Sequence, residues 1–358
     1  MYFQILSANV PAEASRWLAI WEESPEREVF AHPTYVALDA ERTSGIATCT
    51  ILRYGSIAVM YPFVQRDLSR EVYSLPQLDA QSDITSAYGY CGPIVWGQGS
   101  REAAAAEFWN HFDDWARTRN VASEFVRFGL FAQNALPYPG PTWAVSQHVV
   151  RRLDKSEDEL WRDFDHKVRK NVHKAQRCGV TLHVDSAARE LGSFLDVYNQ
   201  TMDRRQAQTS YRYSLSFFER LAQELKDSIC YFHAALTGTI VSTELVLISN
   251  SSIYSFLGGT KEEYFDCRPN DLLKFEIIRW ARAHEKTAYV LGGGYEPGDG
   301  IFRYKLSFAP NGIVPYFQGG RILQPELYDA LVLQRECVAR MRNEIWSPAQ
   351  HYFPKYRG

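Results

Sequence analysis

One succession of elements occurs twice in this chain, and it limits the fold more than any other feature. From Ile229 to Gly258 come three β-rich runs, ICYFHAAL, TIVSTELVLI and SIYSFLGG, divided by Thr237-Gly238 and Asn250-Ser251. Short runs rich in Val, Ile and Tyr between turn residues predict an antiparallel meander. Asn270 or Asp271 after Pro269 then caps a helix, on which Leu273, Ile277, Trp280 and Ala281 recur at helical spacing as far as about Lys286. A strand, TAYVL, follows and ends in Gly292-Gly293-Gly294. In the first half GIATCTIL and SIAVMYPF form a β-rich pair around Arg53 to Gly55. A helix carrying Ala105, Phe108, Trp109, Phe112, Trp115 and Ala116 on one face comes next, and then the strand ASEFVRF. The helices start near 103 and 271, and the common order predicts two copies of one α/β domain in tandem. The competing reading is that α/β chains resemble themselves at this level of description.

Composition places the chain among globular proteins: 358 residues, 46% apolar and 23% charged, are enough for two domains of ordinary size. No run approaches the ~20 apolar residues of a membrane span, and the N-terminus lacks a basic segment followed by an apolar one, so the expected location is the cytoplasm. Cys49, Cys91, Cys178, Cys230, Cys267 and Cys337 show no CxxC spacing and read as reduced, mostly buried thiols. The histidines, among them His166, His173 and His183, show no firm ligand spacing, and no Walker A loop or G-x-S-x-G elbow occurs. Neither a metal nor a nicotinamide cofactor is expected.

Charge is divided unevenly. Residues 1–150 hold 10 Arg, no Lys and 16 acids, whereas residues 151–358 hold 29 basic and 26 acidic residues, so the halves carry −6 and +3. A basic second half can attract a polyanion, although +3 is far below that of a dedicated DNA-binding domain. Between the halves, VVRRLDKSEDELWRDFDHKVRKNVHKAQRCGV has Ser156 and Glu159 in a capping-box pattern and Gly179 as a stop, which predicts one long helix or two short ones. Lys167, Lys170, Lys174 and Arg177 fall on one helical face. That stripe is either a solvated surface or a phosphate-binding row.

Several phrases, in their order, resemble the FemAB/FemX-like branch of the GNAT superfamily, the double-domain transferases that attach amino acids to peptidoglycan precursors, including the group found with polysaccharide genes. They are His32-Pro33-Thr34-Tyr35, the segment Asp83 to Pro93, the basic helix RKNVHKAQRCGV, VYNQTMDRRQAQTSYRYS, the capped helix from Asn270, Gly292-Gly293-Gly294, Asp299 to Phe308, and the closing YFPKYR. The resemblance implies two tandem GNAT-like domains, each a mixed central sheet flanked by helices. Domain 1 would span 1–150, a basic helical connection 151–179, domain 2 180–325, and a C-terminal helix and tail 326–358. It implies transfer of an aminoacyl group from aminoacyl-tRNA to an amine of a lipid-linked or nucleotide-linked envelope precursor or a related small molecule. Aminoacyl-tRNA would then be a donor substrate, with no bound cofactor.

The same resemblance assigns residues. Lys305 matches the lysine of the family's Phe-Lys-type motif, near the donor's acyl and phosphate groups, with Tyr304 in place of the usual Phe. Asp299 stands beside it as a candidate base, as do Asp83 and Glu296. Arg204, Arg205, Tyr211, Arg212 and Tyr213 resemble the acceptor-contacting region, and forked cations with phenols suit a diphosphate or carboxylate. Tyr35, Tyr88, Tyr90 and Phe302 complete the expected substrate lining, and the stripe from Lys167 to Arg177 is the candidate donor-phosphate site. Two departures count. Arg127-Phe128-Gly129-Leu130 replaces an Arg-x-Asp-Pro-like turn, removing a family carboxylate, and the long helical hairpin of FemA-type members is absent. Acetyl-CoA-dependent relatives hold pyrophosphate on the backbone N–H groups of a glycine-containing loop at a helix start. Here Cys267-Arg268-Pro269-Asn270-Asp271 stands at that junction without glycine, and Pro269 has no N–H. Acyl-CoA is therefore the less favoured donor, and a non-catalytic binding scaffold is the remaining alternative.

Overall fold

The computed structural model describes residues 1–76, 80–349 and 352–358. They form two compact units, one made of Met1–Val145 with Tyr316–Gly358, the other of Ser146–Pro315.

The first unit begins with β1 (Tyr2–Ser7), α1 (Pro11–Glu23) and α2 (Pro33–Arg42). Strands β2 (Ile46–Tyr54), β3 (Ile57–Asp67), β4 (Ser82–Thr85) and the short β5 (Ile94–Gly97) follow, then α3 (Arg101–Thr118) and β6 (Val121–Arg127). Beyond it β7 (Thr142–Arg152) leads into the second unit. There stand α4 (Glu157–Asp163), α5 (His166–Arg177), β8 (Thr181–Asp185), α6 (Leu191–Arg204) and α7 (Leu215–Glu224). Next come β9 (Ile229–Leu236), β10 (Thr239–Ile248), β11 (Ser252–Thr260), α8 (Pro269–Ala283), β12 (Ala288–Gly292) and α9 (Gly300–Leu306). Strand β13 (Ile313–Ile322) returns the chain to the first unit, where α10 (Pro325–Met341) closes the run of long elements.

The strands of the two units pair in the same order. In the first, β1, β2, β3 and β4 pair antiparallel in sequence, β4 pairs parallel with β6, and β6 pairs antiparallel with β13. In the second, β8, β9, β10 and β11 pair antiparallel, β11 pairs parallel with β12, and β12 pairs antiparallel with β7. The duplicated order read from the sequence is thus a duplicated sheet, flanked in each unit by helices. The cut differs from the expected one at 150, 179 and 325. Each unit takes its sixth strand from outside its own run of elements, β13 for the first and β7 for the second. The connecting segment is part of the second unit's core, to which Leu160, Phe164, Val168, Val172 and Ala175 contribute buried side chains.

Local chemistry explains the elements. Ser156 and Glu159 form the capping box of α4, and Phe164 ends that helix in extended backbone, so the connection is two short helices. Gly179, at φ +82°, lets the chain turn from α5 into β8. On α3, Ala105, Phe108, Trp109, Phe112 and Ala116 are buried against β3 residues Tyr61 and Phe63.

In β11, Gly258 lies so close to β10 that an added Cβ would stand 2.5 Å from the Thr243 carbonyl oxygen. Gly258→Ala is therefore expected to cost about 1–3 kcal/mol. Urea unfolding of the variant checks this; an unchanged midpoint would mean that the two strands part freely at this point.

Candidate active site

The chemistry gathers in the second unit, where α8, β10, β11 and β12 meet. β11 and β12 are paired only over Ser252–Tyr254 and Ala288–Val290. Beyond that pairing lies the buried Lys274 of α8. Its Nζ donates to Glu244 at 2.7 Å, to Ser255 Oγ at 2.9 Å and to the Tyr289 hydroxyl at 3.0 Å. The second carboxylate oxygen of Glu244 is 2.6 Å away, and Tyr289 donates to the same carboxylate. An ammonium has three protons, and here each has an acceptor. Burial still pulls Lys274 below the ordinary lysine range, opposed by Glu244.

Lys305 stands on α9, a helix rather than the strand its apolar surroundings could suggest. Asp299 caps that helix by accepting from the Phe302 N–H at 2.7 Å, and also takes the N–H of Tyr295 at 2.7 Å and of Glu296 at 3.2 Å. Those backbone bonds, Phe302 first, hold the Asp299 carboxyl below the usual carboxylate range. Its position makes it the builder of the loop before Lys305 and a weak base. The Lys305 Nζ donates to the Gly293 carbonyl at 2.6 Å, just past the end of β12. Burial, and then the neighbouring Lys274 ammonium, lower Lys305 to about 8, with Glu244 and Asp299 acting in the opposite direction. Tyr304 accepts a hydrogen bond from Asn270 Nδ2 at 2.8 Å, which docks α9 on the first turn of α8. Phe302 is buried in the core.

His148 of β7 was not foreseen. A Cβ on Gly293 would lie 3.0 Å from its Nε2. Burial first, then the Lys305 charge, lower it to about 4, so the imidazole beside Lys305 is neutral at pH 7. Lys274 and Glu244 also escaped sequence reasoning. The visible signal was a lysine and a glutamate among otherwise apolar positions of a helix and a strand, where a charge must be paired.

At the start of α8, Arg268 adopts a left-handed conformation at φ +56°. The buried Asp271 sits in the first turn and accepts from Asn171 Nδ2 at 3.1 Å. Burial raises its carboxyl above the usual range, opposed by Asn171, Arg268 and Lys167. The stripe on α5 flanks this junction: Lys167, Lys170 and Arg177 are exposed and Lys174 is half-buried, while Val168, Val172 and Ala175 face the core.

The arginine-tyrosine segment divides its duties. Arg204 donates to the Thr260 carbonyl at 3.2 Å and lies 4.9 Å from the Phe265 ring centre; Arg205 is exposed; Arg212 pairs with Asp203 at 2.8 Å. The Tyr211 carbonyl accepts from Tyr198, and Tyr213 packs on Phe217. Gln208 reaches Tyr295 in the loop before Lys305, which brings this segment to the same rim.

The remaining expected residues lie in the first unit. Tyr35 donates to the Tyr88 carbonyl at 2.7 Å, Tyr90 packs edge-on to Phe30 and Tyr316, and Tyr88 is 44% exposed. Asp83 is fully buried, with Arg66 at 2.7 Å, Arg357 at 2.6 Å and the Tyr356 hydroxyl at 3.2 Å. Its carboxylate is committed to holding the closing segment in place, which leaves no base there. Among the described residues there is no group of three or more His, Cys, Asp or Glu that could hold a metal, and no helix long and apolar enough to cross a membrane.

The fold has counterparts among known proteins. Residues 162–306 match the family described as acetyltransferase (GNAT) domain. In fold the chain is similar to FemX, and the match to the GNAT domain falls within its second unit. The crystal structure of FemX superposes with a TM-score of 0.64 at 13% identity, covering 92% of this chain and 99% of that one. The C-terminal domain of a putative lysylphosphatidylglycerol synthetase from Agrobacterium fabrum gives 0.55 at 11% identity, with 92% and 97% covered. A conserved protein of unknown function from Bacteroides thetaiotaomicron gives 0.52 at 9% identity, with 87% and 97% covered. No curated protein sequence matches significantly.

Removing one member of a buried ion pair strands the other, whereas replacing both with apolar groups does not. Lys274→Met is expected to cost about 3–5 kcal/mol and the double change with Glu244→Leu much less. Denaturant titration of both variants checks the order; equal losses would show that the pair contributes no mutual stabilisation.

Proposed function

We propose that the second unit transfers an aminoacyl group from aminoacyl-tRNA to an amine of a cell-envelope precursor or a related small molecule. The observation that carries the reading is Lys305, a half-buried ammonium whose hydrogen-bond partner among the described residues is the Gly293 carbonyl. With three protons and one acceptor, it has capacity left for a carbonyl oxygen or phosphate brought into the site. Attack of an amine on the donor ester places negative charge on the carbonyl oxygen. An oriented cation in a water-poor site stabilises that charge without reorganising. Afterwards the ester oxygen leaves with a proton while the new nitrogen loses one, and the neutral His148 is close enough to take part in that exchange.

The junction at α8 supports a donor other than acyl-CoA. A helix start favours anions through its free N–H groups and dipole. Here Asp271 already brings a carboxylate into that first turn, Pro269 removes an N–H, and Arg268 occupies the left-handed position that a glycine would favour. The row Lys167, Lys170, Lys174 and Arg177 beside it supplies positive charge over a longer span, suited to a nucleic-acid backbone. The similarity in fold to FemX and to the putative lysylphosphatidylglycerol synthetase domain supports amino acid transfer as the chemistry.

Lys305→Ala is expected to lower single-turnover rate by about 10²–10³, the usual loss for one oriented charge-stabilising donor. Stability moves the other way. The folded Lys305 releases its proton near pH 8 and the unfolded one near pH 10.5. Between those values the unfolded chain binds the extra proton, so the residue's contribution to stability rises with pH and is unfavourable below pH 8. Lys305→Met should therefore melt at the same or a higher temperature at pH 7. Normal turnover in the folded variants would remove Lys305 from the mechanism. Binding of labelled aminoacyl-tRNA should weaken steeply with salt as Lys/Arg contacts release counterions. Salt-insensitive binding of acetyl-CoA without tRNA binding would overturn the donor assignment.

A further inference from the structure

We propose that the Tyr295 ring stacks on the nucleobase of the donor's 3′-terminal nucleotide, an assignment that rests on aminoacyl-tRNA being the donor. Among the described residues Tyr295 is the most exposed of the Phe, Tyr and Trp side chains, at 70%. It is nevertheless held at both ends. Its N–H donates to Asp299 Oδ2 at 2.7 Å, and its hydroxyl accepts from Gln208 Nε2 at 3.4 Å. The loop that carries it has little slack. A Cβ added to Gly294 would run into the Asp299 carboxylate, and one on Gly293 would stand 2.9 Å from the His148 ring. Gly298 turns the chain at φ +68°. An aromatic ring fixed at its backbone and its hydroxyl, yet left open to water, packs no core and keeps its plane for another molecule.

Position selects the ligand. Gly293, whose carbonyl receives the Lys305 ammonium at 2.6 Å, stands two residues before Tyr295, so their Cα atoms are at most about 7 Å apart. In an aminoacyl-tRNA the ester carbonyl is joined to the terminal ribose, and that ribose also carries the terminal base. A donor whose carbonyl lies at Lys305 therefore brings a planar base to within one sugar of it, the range in which Tyr295 stands. In an acyl-CoA the base is separated from the carbonyl by the whole pantetheine arm and would lie elsewhere. Gln208, which holds the Tyr295 hydroxyl, follows the exposed Arg205 by three residues, at most about 11 Å of chain. A forked cation beside an aromatic plane suits the phosphate and the base of one nucleotide. Unpaired bases are stacked on aromatic side chains in this manner, with little dependence on sequence because every base has a π face.

The test is a thermodynamic cycle on the full chain. The probe is an RNA minihelix with an amino acid joined by an amide to its 3′-terminal ribose, made with and without the terminal base. Its Kd is measured for the wild-type protein, Tyr295→Ala and Tyr295→Phe, with melting temperatures to confirm folding. Tyr295→Ala should bind the complete probe about 5- to 150-fold more weakly, the usual value of one base–aromatic stack, and Tyr295→Phe should keep most of the affinity because it keeps the ring. The probe without its terminal base should bind the wild-type protein and Tyr295→Ala alike. Equal weakening of both probes in Tyr295→Ala would overturn the stacking role and leave aminoacyl-tRNA as the donor. If the wild-type protein bound neither probe, the donor assignment would fall and the stacking role with it. Binding of uridine diphosphate that is lost in Tyr295→Ala, with both probes bound equally well by the wild-type protein, would give the ring to a nucleotide-linked acceptor and overturn the proposal.

Discussion

A lysine ammonium is stable inside a protein only where each of its protons finds an acceptor and an opposite charge lies close. Lys274 meets both conditions with Glu244, Ser255 and Tyr289, contributed by β10, β11 and β12, three strands of one sheet. The arrangement of the candidate site in the second unit follows from it. The ion pair fills the space beyond the short parallel pairing of β11 and β12. Asn270, one turn earlier on α8, holds Tyr304, and Tyr304 places the next residue, Lys305, at the end of β12. Lys274 is satisfied and structural, whereas the half-buried Lys305 near it has donor capacity left over. One charge holds the site together and the other is poised in it.

The first unit has the same strand order with a different outcome. Its buried cation is Arg321 of β13, 2.7 Å from the fully buried Glu124 and 3.0 Å from Asp113, with its guanidinium 4.6 Å from the Trp109 ring centre. A guanidinium does not lose its proton in a protein, and this one is divided between two carboxylates and an aromatic face. Asp83 is likewise held between Arg66 and Arg357. Duplication thus gave two similar frames, of which the second keeps an amine able to change its charge. The aromatic loop of Tyr88 and Tyr90 gives the first unit an exposed, rigidly held edge instead.

Much of this was legible in the amino-acid order, because meanders, caps and helical stripes are local. The helices expected from 271 and from 326 are Pro269–Ala283 and Pro325–Met341, and the strand read as TAYVL is Ala288–Gly292. What could not be read was the exchange of β7 and β13, since strand pairing between distant segments leaves no local periodicity. The same limit applied to the site. Lys305 was marked by the resemblance to a Phe-Lys-type motif, but Lys274, Glu244 and His148 converge from a helix and two strands that only the folded sheet brings together. Asp83 shows the converse: it stood as a candidate base in a segment that carries the resemblance, whereas its partner Arg357 lies more than two hundred residues along the chain.

The central claim is that the burial and charge environment of Lys305 poise its amine near neutrality. Competitive amine labelling across a pH series, read by mass spectrometry at the Lys305 peptide, measures that directly. The account predicts half-maximal reactivity at about pH 8 for Lys305, below the value of about 10.4 of a free lysine side chain. A Lys305 midpoint indistinguishable from that of a free lysine side chain would contradict it.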